Sequence, residues 1–74
     1  MRRAGTVVGT AQGVAVVRST DDSYPDVGTE LVDEQLDPVG DVVDVFGPVE
    51  QPYLAVSPTD RPIVPLVGDT VYAR

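Results

Sequence analysis

The chain has no cysteine, histidine, lysine, tryptophan or asparagine. Lacking thiols and imidazoles, it cannot build a zinc finger, an iron–sulfur cluster, a haem ligand set, or a cysteine or serine–histidine catalytic site. Disulfide staples are excluded too, so 74 residues must stand on their own core or on a partner. Domains of this size bury only about 60% of the surface their unfolded chains expose. A single domain over residues 1–74 is expected, with no deep cleft between domains. The opening Met1-Arg2-Arg3-Ala4-Gly5 leads into no apolar run of signal-peptide length, and no stretch approaches a membrane span. The cytoplasm is therefore the expected compartment, with no membrane partner.

Positive charge is scarce. Five arginines (Arg2, Arg3, Arg18, Arg61, Arg74) face twelve acidic residues, for a net charge of −7. Nucleic-acid backbone affinity comes from clustered Lys and Arg, so weak or no direct RNA binding is expected of the chain alone. Arg2, Arg3 and Arg74 make at most a thin patch at the termini and read as solvated. The lysine-free, aspartate-rich composition also fits a protein working in concentrated salt. At about 1 M salt the Debye length is about 3 Å, so like charges barely repel, and the net charge then maintains solubility.

Sixteen valines make strands the natural reading, because β-branched side chains fit a pleated surface better than a helix. Apolar residues rarely recur at helical spacing; the Thr29–Leu36 stretch, whose Glu30, Leu31 and Glu34 suggest a helical turn, is too short to stand as a helix. One device recurs at Val8-Gly9-Thr10, Val27-Gly28-Thr29, Val39-Gly40-Asp41 and Val67-Gly68-Asp69. Its spacing is irregular, which predicts turns, bulges and bends of a curved sheet and not a solenoid. Six short strands are predicted, over residues 3–10, 13–19, 30–33, 39–46, 53–57 and 70–73. In the second, Val14 and Val16 alternate with Ala15 and Val17, apolar on both faces as in a barrel wall; Val16→Asp is expected to unfold it. In the fourth, Asp41 and Asp44 fall on opposite parities, which calls for a bulge near Val42. Ala11-Gln12 reads as a tight link, Thr20–Asp26 as a polar surface loop, and the three-proline stretch from Ser57 to Pro65 as a rigid extended excursion. Bent strands with no helix to cover a sheet face need closure to hide their edges. The expected fold is all-β, a small six-stranded closed or nearly closed barrel.

Carboxylates are the only plentiful functional groups. Asp21, Asp22 and Asp26 are the candidates to gather a hard cation, but their spacing matches no EF-hand loop, and a solvated acidic loop is the preferred reading. Asp41 and Asp44 could do acid–base work only if one were buried. No GxGxxG or Walker loop occurs. No catalytic residue, metal or cofactor is expected, and the chain is read as a binding protein, not an enzyme.

One segment differs from the rest: Val45-Phe46-Gly47-Pro48-Val49-Glu50-Gln51-Pro52-Tyr53-Leu54, with the only phenylalanine. Prolines pre-set its backbone, which lowers the entropy lost when a partner orders it. Taken singly, Phe46 and Tyr53 can also be read as core or barrel-rim residues. The segment as a whole reads as a docking surface, with Phe46, Gly47, Pro48, Val49, Pro52 and Tyr53 as its candidates and Val49 at the exposed tip.

From Val39 the chain reads V-G-D-V-V-D-V-F-G-P-V, then P-Y-L-A-V-S-P from Pro52. With its opening strand and the closing Val67-Gly68-Asp69-Thr70-Val71-Tyr72, it resembles the Gar/Naf family, specifically the small GAR-type subunit of archaeal H/ACA ribonucleoproteins. That resemblance implies a barrel related to those of translation factors. It also implies a non-catalytic accessory subunit of a guide-RNA pseudouridine synthase, docked on the dyskerin-like catalytic subunit. Such a subunit aids substrate loading and turnover in rRNA modification and meets H/ACA guide RNA indirectly. The Gly-Arg-rich arms of eukaryotic members do not occur in this sequence, so RNA binding through them is not carried over. The alternative is a stand-alone translation-type barrel touching ribosome or tRNA.

Overall fold

The computed structural model describes residues 1–20 and 22–74. Six strands form one closed barrel: β1 (Arg2–Ala11), β2 (Val14–Ser19), β3 (Glu30–Val32), β4 (Pro38–Phe46), β5 (Tyr53–Pro58) and β6 (Thr70–Ala73). Around the barrel the order is β1-β2-β5-β4-β3-β6, and every neighbouring pair is antiparallel. The expected barrel is the observed one, and each predicted strand lies within about two residues of its observed bounds, the usual fraying of strand ends. Among the described residues no helix is long and apolar enough to cross a membrane.

The core is built from inward-facing β-branched and leucine side chains. Val7, Val17, Leu31, Val42, Leu54 and Val71 are all buried. Each such side chain stabilises the fold by about 1.5–3 kcal/mol relative to exposure. Parity on β2 resolves in one direction: Ala15 and Val17 point inward, while Val14 and Val16 lie half-buried on the outer face. Val16 is thus an outside residue, and the expectation that Val16→Asp unfolds the barrel is corrected in favour of Val17. Alternation with apolar residues on both parities left the two faces of β2 equivalent in sequence.

The irregularity anticipated near Val42 is present. The β4–β5 register slips between Val42 and Asp44, so Val43 is the extra residue, and Asp41 and Asp44 both end up exposed despite their opposite parities. A second slip in β1 leaves Val8 unpaired between Val7 and Gly9. The β1–β2 turn is made by Gln12 and Gly13, both with positive φ (51° and 83°), the pattern of a type I′ hairpin. Gly40 sits where β4 crosses β5 so closely that a Cβ would run into the carbonyl of Ser57.

Two crossovers cover the barrel ends. The stretch expected to run extended from Ser57 to Pro65 instead turns inward, forming a short 3₁₀ helix at Val64–Leu66. Ile63 and Leu66 are buried and join the core. Proline at the first turn of a helix is compatible with its fixed φ, which is why three prolines did not enforce an extended path. At the other end, Pro25 is buried while Asp22, Ser23, Tyr24 and Asp26 around it are exposed, so that loop is not purely a polar surface excursion.

The end of β3 is held by a buried carboxylate. Asp33 Oδ1 accepts hydrogen bonds from the backbone N–H groups of Gln35 and Asp37 at 2.9 and 3.0 Å. Its Oδ2 pairs with the Arg61 guanidinium at 2.8 Å. The Thr29–Leu36 stretch is therefore a strand followed by a turn. That turn holds Leu36 at φ 69°, a backbone region that costs a bulky residue about 1–3 kcal/mol. Burial alone raises the Asp33 pKa, but the Asp37 N–H, the Arg61 guanidinium and the Gln35 N–H together hold it below the ordinary value of 3.8. A depressed folded-state pKa contributes stability above the unfolded value, which is lost as pH falls through the folded one. Asp33→Asn should therefore cost about 1–2 kcal/mol at neutral pH, allowing for the partial exposure of Arg61. The gap between wild type and variant should close as pH drops below about 4. Urea titrations of both proteins from pH 7 to pH 2.5 check this; a gap that stays constant would mean that the charge of Asp33 contributes nothing.

Candidate functional site

The β4–β5 hairpin carries the segment singled out in the sequence. Phe46 and Tyr53 are direct cross-strand partners at its base. Their rings stack with centroids 5.6 Å apart and planes inclined by 25°. Such pairs contribute about 0.5–1.5 kcal/mol beyond their buried area. Neither ring enters the core: Phe46 is 44% exposed and Tyr53 half-buried. Gly47 follows in the left-handed region (φ 93°), where a Cβ would lie 2.9 Å from the Tyr53 ring. Only glycine lets the chain turn this tightly beside the stack.

Three hydrogen bonds tie the loop back to the end of β2. The Ser19 N–H and hydroxyl both donate to the Pro52 carbonyl, at 3.0 and 2.6 Å. The Gln51 side-chain amide donates to the Ser19 carbonyl at 3.2 Å. Pro52 is buried, so it fixes the loop and presents no surface of its own. Pro48 is exposed, and Val49 at the tip is 83% exposed, more than any other large apolar residue described. The loop is therefore a braced apolar projection flanked by a half-exposed aromatic pair.

Two contributors escaped the sequence reading. Ser19 is buried and anchors the loop from 33 residues away. Arg18 is the other: it faces Tyr53 across the β2–β5 ladder and is exposed beside the aromatic pair. Both relationships depend on β2 pairing with β5, a non-sequential neighbour, and no local signal announces them.

The remaining candidates do not assemble. Asp21 lies outside the described residues; Asp22 and Asp26 are exposed. Among the described residues no three His, Cys, Asp or Glu side chains gather as a metal site would require. Arg74 pairs with Glu30 at 3.4 Å across the surface.

A closed small barrel with a braced apolar hairpin defines a binding module. The model of the Gar1/Naf1 RNA binding region matches residues 1–74, and the chain belongs to that family. Membership ties it to H/ACA ribonucleoproteins and to RNA association, within a family of accessory proteins and not of known catalysts. Compared with curated proteins, the chain has no match.

Proposed function

We propose that the protein is a non-catalytic, single-barrel accessory subunit that docks through the β4–β5 hairpin on the dyskerin-like catalytic subunit of an H/ACA guide-RNA pseudouridine synthase. There it aids substrate loading and turnover in rRNA pseudouridylation and so serves ribosome biogenesis. One observation carries the reading: the most exposed large apolar side chain, Val49, stands on a loop braced by Pro48, Pro52 and Ser19. A pre-ordered apolar anchor of this kind binds without a large ordering cost. With a net charge of −7, the chain enters the particle by protein contact, and guide RNA is held by other subunits. The lysine-free composition supports a cytoplasm of concentrated salt, as in a haloarchaeal cell.

Val49→Asp should leave the circular dichroism spectrum and melting temperature unchanged. It should weaken binding to the purified catalytic subunit by about 2 kcal/mol, roughly 30-fold. Wild-type affinity in a folded Val49→Asp protein would place the docking surface elsewhere. Sub-micromolar binding of guide RNA by the wild-type chain alone would contradict entry by protein contact.

A further inference from the structure

Acidic residues are unevenly placed around the barrel. Strands β6, β1, β2 and β5 are consecutive neighbours and contain no aspartate or glutamate. The other two strands carry Glu30, Asp41 and Asp44, with Asp41 and Asp44 exposed on β4. The acidic residues described all lie on those two strands or in loops. Strand position alone does not account for this, because β4 is a strand of the same sheet and is solvated by its aspartates. In a chain that uses acid as its main solubilising group, an acid-free wall is one that water does not need to cover.

That wall presents apolar side chains around Arg18, with Arg2 and Arg3 exposed at the start of β1. Val8 is exposed at the β1 bulge, and Val14 and Val16 are half-buried on the outer face of β2. Arg18 lies between Thr6 of β1 and Tyr53 of β5, and Tyr53 in turn pairs with Phe46. The wall is therefore continuous with the aromatic base of the hairpin. Among the described residues the two ion pairs are made by Arg61 and Arg74, and neither involves Arg18. Asp44, at the β4 border, already accepts from the Val45 N–H.

We infer that the outer wall of β1, β2 and β5 is covered by the same protein partner that takes the hairpin. That partner sets an apolar patch against Val8, Val14 and Val16 and a carboxylate against Arg18. The inference rests on the docking reading above. Covering a guanidinium without a counter-charge is costly, whereas a carboxylate meets it in a paired geometry. A buried pair is also screened by salt far less than an exposed one. A phosphate could meet Arg18 as well, with Arg2 and Arg3 exposed on β1, but the net charge of −7 opposes a nucleic-acid backbone, and Arg18 itself pairs with the aromatic Tyr53.

The test titrates the purified catalytic subunit with the full chain and four variants: Arg18→Glu, Val16→Asp, Val49→Asp, and Val27→Asp as a control. Val27 is 61% exposed and precedes β3 on the acidic side of the barrel. Arg18→Glu and Val16→Asp should each lose affinity by about tenfold or more, with unchanged dichroism, and Val27→Asp should stay within about twofold of wild type. If Val49→Asp alone is weakened, the hairpin docks and the wall inference falls. If the two wall variants are weakened and Val49→Asp is not, the wall stands and the hairpin reading falls. No binding by wild type, or no loss in any variant, overturns both. Guide RNA bound by wild type and lost in Arg18→Glu, with synthase affinity intact, makes the wall an RNA surface and overturns the inference. Should Val16→Asp misfold, Arg18→Glu decides alone, since its side chain is exposed in the free protein.

Discussion

Val17→Asp is expected to abolish the fold, while Val16→Asp, one residue earlier, should leave it standing. Val17 has no exposed surface and packs inside the barrel with Val7 and Leu54 as its ladder partners. A carboxylate there either stays charged without a partner or takes up a proton and remains unsatisfied, and both outcomes cost several kcal/mol. The loss of about 5 kcal/mol or more equals the whole stability that a domain of this size can be expected to hold. Val16 points outward, so the same substitution costs about 1 kcal/mol or less. Far-ultraviolet circular dichroism and a thermal melt distinguish the two variants. A cooperative melt for Val17→Asp, or an unfolded Val16→Asp, would reverse the assigned facing of β2.

The second large effect comes from adding a single methyl group. Gly40→Ala should destabilise the barrel by about 3 kcal/mol or more. A Cβ on Gly40 would collide with the Ser57 carbonyl oxygen, and it would lie 2.9 Å from both the Ser57 carbonyl carbon and Val56 Cγ1. Relief by a rotamer change is closed off, because two of these three atoms are backbone. Relief by strand movement is opposed from the other side, where Gly40 pairs with Leu31 of β3. The glycine therefore sets how closely two strands can cross, in a packed interior that transmits strain. Gly9→Ala is the matching control, since a Cβ there meets nothing within 4 Å. Equal chemical-denaturation midpoints for the two variants would show that the crossing tolerates a side chain.

The valine-rich alternation and the Gly punctuation were enough to read six strands and their closure, because both are local signals of a curved sheet. The slip between Val42 and Asp44 was legible for the same reason: two aspartates on opposite parities cannot both face water along an unbroken strand. The facing of β2 was not legible, since Ala15, Val17, Val14 and Val16 are all apolar and only pairing decides between them. The 3₁₀ turn at Val64–Leu66 was masked by prolines that are compatible with both extended and helical φ. The Asp33–Arg61 pair spans 28 residues, and the Ser19–Pro52 anchor spans 33. Such contacts exist only after closure. The hairpin residues Phe46, Gly47, Pro48 and Val49 stood out through composition, whereas Arg18 joined them only through the register of β2 against β5.

The ring of strands also fixes when the protein can come into being. β6, near the C-terminal end of the sequence, is hydrogen-bonded to both β1 and β3, and Arg2 pairs with Ala73. A growing chain at the ribosome therefore cannot seal its barrel until Thr70–Ala73 has emerged. Until then β1 and β3 present open edges of the kind that recruit foreign strands. Closing the ring requires contact between the most distant parts of the sequence, which is slow compared with local hairpin formation. During that interval the excess of hydrated carboxylates keeps the open-edged chain in solution. The acidity that solvates the finished barrel thus also protects it while it is still being made.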